Sequence, residues 1–477
     1  MDLSKFPLLA LVALLALAQL SVADPARPNV VMIIADDQTY RDFGFMGNAE
    51  VKTPHLDRLA SQSARYVNGY VPVSVCSPSL ATLLTGRYPH QHGIHFNHPP
   101  PGNSAFNQMT SRAEYEKVRS RSFALIQQQP TLPRTLADAG YRCLQTGKFW
   151  EGHFRNAGFT DGMTLFEPVP GQDFGGNRKL KGGELAAHGN GDHGLKIGRE
   201  TMAPISDFLD DCGKDQPFFV WYAPYLPHQP HDSPQTYRDA FKGSPVPENR
   251  VPYYASILQF DDTVGELVRM IESRGLAGNT LFVFVIDNGW TPSTERERNR
   301  PEEFAHDDFS KRSPFEDGLR SPILLRWDNH IQPATHEQLI SSVDLIPTIL
   351  SVTNMAGSMN DLPGLDLLPS ARGEEELPER PVFGEIYPGD ASSLGHPSRD
   401  IAYRWVREGD YKLIVTHGDK PWGGFLKHTS LFDLKNDPGE KTDLSSRPEL
   451  SEKRAHLRRL LDEWWTPGDD SAVPRVK

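Results

Sequence analysis

Three uninterrupted apolar runs limit the architectures open to this chain. They occupy residues 28–35 (Pro-Asn-Val-Val-Met-Ile-Ile-Ala), 218–222 (Phe-Phe-Val-Trp-Tyr) and 280–286 (Thr-Leu-Phe-Val-Phe-Val-Ile). None alternates polar with apolar residues, so each suits a strand covered on both faces, as in the middle of a parallel sheet flanked by helices. The first run stops at Asp36-Asp37 and the third at Asp287-Asn288-Gly289. Oxygen-bearing side chains at the carboxyl end of a buried strand stand where open α/β sheets place their ligands. Adjacent carboxylates repel unless a cation lies between them; a solvated acidic turn is the plainer alternative for either pair alone. Two such termini on one sheet edge favour a metal.

Helical segments alternate with the runs. Residues 53–60 and 253–273 carry apolar side chains at helical spacing, and 131–140 ends in a glycine before the strand-like stretch 141–146. The expected fold is α/β: a large, mixed but mostly parallel sheet flanked by helices, with a smaller C-terminal α+β unit. At 477 residues the chain exceeds one small domain. The charged, irregular stretch 372–380 marks the expected boundary, giving a catalytic unit over 24–372 and a small antiparallel-sheet unit over 373–477. Residues 1–23 read as a cleavable signal peptide: Lys5, an apolar run over 8–20, then Ser21-Val22-Ala23. The run is short for a membrane span and no second one follows, so a secreted or periplasmic protein is expected. The formal net charge of −12 gives no basic footprint for nucleic acid. An anionic substrate would need a local basic pocket against that field. Cys76, Cys143 and Cys212 are too few for a disulfide framework, and the last two read as plain thiols.

The chemistry centres on Cys76-Ser77-Pro78-Ser79-Leu80-Ala81-Thr82-Leu83-Leu84-Thr85-Gly86-Arg87. Pro78 suits a first helical turn, Ser77 offers a cap and Gly86 a left-handed stop. Cys76 then sits at a helix N-terminus, where backbone N–H groups favour an anion and would lower a thiol's pKa. A buried structural thiol is the bland alternative. The segment resembles the signature of the type I, formylglycine-dependent sulfatases of the alkaline-phosphatase-like superfamily, Cys-x-Pro-Ser-Arg followed by Leu-Thr-Gly-Arg. Leu80 replaces the signature arginine.

That resemblance extends along most of the chain. Gly147-Lys148-Phe149-Trp150 is similar to the family's Gly-Lys-Trp-His, with Trp150 at the histidine position and His153 three residues on. Pro227-His228-Gln229-Pro230 resembles its Pro-His-x-Pro, and residues 311–322 its Lys-Gly-x-x-Tyr-Glu-Gly-Gly-x-Arg-Val-Pro. The resemblance implies calcium held by Asp36, Asp37, Asp287, Asn288 and the formylglycine derived from Cys76; hard oxygen donors suit that ion. It implies sulfate contacts from Lys148 and Lys311, proton donation by His228, and a formylglycine-generating maturase as a partner. His90, His92 and His95 read as pocket-wall residues, His90 the nearest to substrate; residues 97–129 read as a loop-rich insertion near the pocket mouth. The expected function is release of sulfate from sulfated carbohydrates. A metal-dependent phosphoesterase of the same superfamily and a catalytically silent sulfated-glycan binder are the alternatives.

Overall fold

The computed structural model describes residues 27–213, 215–290, 309–418, 422–468, 470–471 and 473–474, so the expected signal peptide lies outside the described residues. The apolar runs form the centre of an eight-stranded sheet. In chain order its strands are β1 (Asn29–Ala35), β2 (Ala64–Tyr66), β3 (Arg142–Gly147), β4 (Asp161–Gly162), β5 (Phe218–Ala223), β6 (Thr280–Ile286), β7 (Ile323–Arg326) and β8 (Ala334–His336). Across the sheet they run β8-β2-β7-β6-β1-β5-β3-β4. The five strands from β6 to β4 are parallel; β7 is antiparallel to both β6 and β2.

Side-chain alternation along β1 shows why its sequence does not alternate. Val30, Met32 and Ile34 enter one apolar cluster, shared with helix residues Leu80, Leu83 and Leu84. Val31, Ile33 and Ala35 enter another on the opposite face, beneath α1 (Pro54–Ser61) and a long helix, Val251–Ser273. Both faces are core, so every position must be apolar. No described helix is long and apolar enough to cross a membrane.

Helix α2 (Cys76–Thr85) packs on the first face and ends at Gly86, whose φ of 67° is left-handed. Its start differs from the expected cap. The N-cap is Val75, without a side-chain bond, and Ser77 lies inside the helix. Asn97 supplies what a cap would, its Oδ1 accepting from the Ser77 N–H at 3.0 Å. Residues 97–129, expected to be loop-rich, contain short helices, among them Asn103–Gln108 and Arg112–Arg119. Phe106 and Tyr115 from these helices close a small core of their own with Leu180 and Ala186.

The C-terminal part forms a four-stranded antiparallel sheet, β9 (Val382–Ile386), β10 (Tyr403–Glu408), β11 (Tyr411–Thr416) and β12 (Ser430–Asp433), in that order. A buried charge cluster ties it to the short helix Glu316–Leu319 that precedes β7: Lys412 Nζ lies 3.1 Å from Glu316 Oε1 and 2.9 Å from Glu440 Oε1.

Candidate active site

Adjacent strands β1 and β6 end together, Ala35 paired with Ile286, and deliver Asp36-Asp37 beside Asp287-Asn288. The Asp37 N–H donates to Asp287 Oδ1 at 3.0 Å, and Asn288 Nδ2 donates to Asp37 Oδ1 at 2.6 Å. Asp37 holds φ at 56°, an uncommon value for a residue with a side chain and one that collects at functional sites. Strand β3 brings Lys148 into this group through Gly147, whose φ is +76° and whose Cβ, if present, would lie 1.8 Å from the Ala223 carbonyl oxygen. Only glycine permits that approach. Lys148 Nζ then reaches Asp36 Oδ1 at 2.5 Å and Cys76 Sγ at 3.0 Å. Lys311 Nζ meets Asp37 Oδ1 at 2.5 Å and Oδ2 at 2.7 Å, and His228 Nε2 lies 3.2 Å from Asp37 Oδ2.

Three carboxylates and two ammonium groups are thus buried together around one thiol. Burial would raise Asp37, but His228, Lys311 and Lys148 hold it well below the usual carboxylate range. Burial pushes Asp36 well above that range against the pull of Lys148, with Asp287 and Asp37 adding to the rise. Burial alone would lower Lys148; Asp36, Cys76 and Asp287 raise it well above an ordinary lysine. Both ring nitrogens of His228 face oxygen, Nδ1 at 2.6 Å from the Gln229 carbonyl and Nε2 toward Asp37. Burial disfavours the imidazolium that would satisfy both. Cys76 departs from the sequence expectation: burial pushes its thiol up to about 11, against Lys148 and Lys311. Burial outweighs the two lysines, so Cys76 as a thiol is not an activated nucleophile.

Whether a cation fits is decided by the oxygens. Asp36 Oδ2, Asp287 Oδ2 and Asn288 Oδ1 are buried without a hydrogen-bond partner among the described residues. Buried acceptors are ordinarily paired. Oxygens left over at the meeting of two strand ends make a donor set of the hard type that suits calcium. Asp36, Asp37, Cys76 and His228 also place ligand atoms within 4.8 Å of one another. The group opens into a cavity of about 520 Å³ lined by Cys76, Lys148, His228 and Lys311, with Trp150, His98, His188, Asn190, Tyr225, Arg312 and Trp422 farther along its walls.

A family model described as "Sulfatase" matches residues 28–355, more than half of the chain. The chain belongs to the sulfatase family. Residues 304–466 match a second model, the C-terminal region of N-sulphoglucosamine sulphohydrolase. Human arylsulfatase A is 31% identical to this sulfatase over 495 residues, covering 94% of this chain and 90% of that protein. Porcine N-acetylgalactosamine-6-sulfatase is 28% identical over 459 residues, with coverages of 88% and 82%. The solved structure of BT4656 with its substrate D-glucosamine-2-N,6-O-disulfate shares the fold at a TM-score of 0.69 and 18% identity, covering 92% of this chain and 97% of that one. Sulfuric ester hydrolysis is the activity class that membership brings.

The sulfatase gathers Asp36, Asp37, Cys76, Lys148, His228, Asp287, Asn288 and Lys311 at one point, although Asp37 and Lys311 are 274 residues apart. The histidine expectation is corrected. His90 does not line the cavity; its Nδ1 lies 3.1 Å from Glu385 Oε1 and its ring stacks on Trp465 at 4.7 Å. His92 and His95 are buried outside the cavity as well. His153 caps a short helical turn, accepting from the Arg155 N–H at 3.2 Å, whereas Trp150 lines the cavity. Leu80 is buried in the core beside Cys76. Sequence reasoning missed His98, His188, Asn190, Tyr225 and Arg312 on the cavity walls. Tyr225 had a signal, three residues before His228, and so did Arg312, directly after Lys311; the others lie in polar stretches with no periodicity to mark them.

Proposed function

We propose that this protein is an exported sulfatase that releases inorganic sulfate from sulfated carbohydrate, with Cys76 as the precursor of a formylglycine. The observation that carries the reading is Cys76 bonded to the buried Lys148, with the buried Lys311 held on the neighbouring Asp37, beside three oxygens on the same strand ends that have no hydrogen-bond partner among the described residues. Asp36, Asp37, Asp287 and Asn288 would hold one calcium ion, which when bound supplies positive charge to sulfate oxygens and acidifies a neighbouring hydroxyl. The formylglycine hydrate would supply the nucleophilic hydroxyl. Lys148 and Lys311 stand where they bind the charge of a sulfate above Cys76, and their burial makes each contact stronger than it would be in water. His228, with Nε2 facing the reaction centre, would donate to the bridging ester oxygen only from its imidazolium form, which the negative charge of a bound sulfate would favour, so that the alcohol leaves neutral. The named substrates of the relatives, N-acetylgalactosamine 6-sulfate and D-glucosamine-2-N,6-O-disulfate, are sulfated sugars and support the carbohydrate class.

Two measurements test this. Mass spectrometry of the tryptic peptide 66–87 distinguishes the aldehyde, which is lighter and resists alkylation, from the thiol. Complete alkylation of Cys76 in protein from the native host rules out formylglycine. A screen of sulfated glycans and matched phosphate monoesters reads the leaving anion. Sulfate release is expected; phosphate release alone establishes the phosphoesterase reading instead, and binding without release of either anion establishes the silent binder.

A further inference from the structure

The cavity carries more positive charge than the reaction at Cys76 uses. Lys148, Lys311 and Arg312 line it, and no carboxylate is among its described lining residues, in a chain of net charge −12. The two lysines are engaged: Lys148 Nζ lies 2.5 Å from Asp36 Oδ1 and Lys311 Nζ 2.7 Å from Asp37 Oδ2. The Arg312 side chain is exposed and makes no hydrogen bond or ion pair with a described residue. On an outer surface that would be ordinary, but this guanidinium stands on the wall of the cavity.

The backbone holds it there under strain. The Arg312 N–H donates to the carbonyl of Ser74, two residues before Cys76, at 2.7 Å, and the residue holds φ at 69°. In the motif that residues 311–322 resemble, a glycine stands at this position, and glycine keeps a left-handed φ without strain. Arginine there is strained, and strain of this kind collects at functional sites. The guanidinium rests on another glycine: a Cβ at Gly389 would lie 3.2 Å from Nη2 and 3.4 Å from Cζ. The Gly389 carbonyl accepts from the N–H groups of Asn97 and His98, both lining the cavity, at 2.9 and 3.0 Å. Asp390, next along the chain, has both oxygens engaged. Its Oδ1 lies 3.0 Å from His98 Nδ1 and its Oδ2 accepts from the Asn103 N–H at 2.9 Å.

The charge of Arg312 falls away from the reacting ester. It acts on His98, whereas the main cations acting on Cys76 and Asp36 are Lys148 and Lys311, joined at Asp37 by His228. Arg312 therefore does not stand in for the arginine that Leu80 replaces. A planar guanidinium fork pairs with two oxygens of a carboxylate or a sulfate at once. We propose that Arg312 binds a second oxyanion of the substrate, a carboxylate or a further sulfate beside the ester that is cleaved, and so selects glycans with two neighbouring negative charges. The proposal rests on the sulfated-carbohydrate reading above and names the charge pattern that reading leaves open.

The test separates anion recognition from chemistry. Isothermal titration calorimetry on Cys76→Ala protein, which lacks the nucleophile's precursor, reads binding alone. D-Glucosamine-2-N,6-O-disulfate is compared with N-acetyl-D-glucosamine 6-sulfate. A disaccharide of a uronic acid and N-acetylgalactosamine 6-sulfate is compared with its carboxyl methyl ester. In at least one pair the dianion is expected to bind roughly tenfold tighter, a modest figure because solvent screens an exposed guanidinium. The pair that shows it identifies the second oxyanion as sulfate or carboxylate. Adding Arg312→Gly is expected to remove the preference, and Arg312→Lys to keep only part of it, because an ammonium is a point charge without the fork. Arg312→Gly relieves the left-handed φ, so urea unfolding should find it no less stable than its parent. In protein with Cys76 intact, the ratio of kcat/KM for dianion over monoanion should fall in Arg312→Gly as the binding ratio does. Absent or equal binding within both pairs, or a preference that survives in folded Arg312→Gly protein, overturns the proposal. An Arg312-dependent preference without sulfate release from any substrate leaves the anion site standing and overturns the sulfatase reading; sulfate release without a dianion preference does the reverse.

Discussion

Replacing Lys148 by methionine keeps the length of the side chain and removes one of the two cations from a cluster of three buried carboxylates. Lys148 is 1% exposed, and its ammonium lies 2.5 Å from Asp36 and 3.7 Å from Asp287. At an effective dielectric constant of about 20, either contact is worth more than about 4 kcal/mol before desolvation is subtracted. Stranding a buried partner costs roughly 3–5 kcal/mol in net terms. The structure also sets a ceiling, because the variant can escape by protonating Asp36, which burial already favours. The sign follows from linkage. A carboxyl whose folded pKa is raised binds its proton in the native state only, so its cost is absent below the unfolded pKa and grows with pH up to the folded pKa. Lys148→Met is therefore expected to lose about 2–4 kcal/mol at pH 7, a deficit that shrinks by up to about 1.4 kcal/mol per unit toward pH 5. Urea unfolding followed by tryptophan fluorescence, at pH 5, 6 and 7 in buffer containing chelator, measures it. A loss below about 1 kcal/mol at pH 7, or one that deepens on acidification, would refute the account of the cluster.

Lys412→Met strands Glu316, whose carboxyl burial would raise but Lys412, Arg407 and Arg320 hold at about 2. A loss of roughly 3–5 kcal/mol at pH 7 is expected. Because that pKa is depressed on folding, the loss should narrow as pH falls from the unfolded carboxyl value toward 2, and a gap constant over that window counts against the ion-pair assignment. Calcium should raise the unfolding free energy by about 2.7 kcal/mol at a hundredfold excess over its dissociation constant, and Asp287→Ala should abolish that rise while the chain stays folded. Stoichiometric zinc in elemental analysis of the purified protein would overturn the calcium assignment. Leu80→Arg exchanges a core side chain worth about 1.5–3 kcal/mol of burial for a guanidinium beside Cys76. Lower stability with a larger aldehyde fraction at Cys76 is expected, and a folded variant with no such increase would show that Leu80 does not limit maturation.

What the sequence disclosed was whatever a single element carries by itself. β1 and β6 announce themselves because both faces are buried, and their acidic ends stand side by side because the strands do. Lys148, His228 and Lys311 were legible through motif resemblance, not through any local physical signal. Properties conferred by distant chain were not legible. His90 is turned from the cavity by Glu385, 295 residues away, and by the still more distant Trp465. The helix at Cys76 begins at the cysteine itself because Asn97 satisfies the Ser77 N–H from outside. The thiol's raised pKa comes from solvent exclusion by several packed segments, which a helix-end argument does not contain. The helices within 97–129 escaped notice because their apolar residues, Phe106 and Tyr115, are widely spaced and complete a core only with Leu180 and Ala186.

The place of β1 in the middle of the sheet has a consequence for how the protein comes into being. Its neighbours are β5 and β6, and the Asn29 side chain contacts partners 189 residues later, at Phe218, and 251 later, at Thr280. A ribosome adding about 5–20 residues per second needs roughly 10–40 s to supply the nearer strand. Throughout that interval the most apolar strand near the N-terminus has neither of its neighbouring strands to pair with, although α1 and α2 are already present to cover part of its faces. Such long-range closure is slow even for a finished chain. The segment that builds half of the acidic site is thus an aggregation hazard early in synthesis, and a holdase that shields unpaired strands should improve its yield more than a foldase acting on the completed polypeptide.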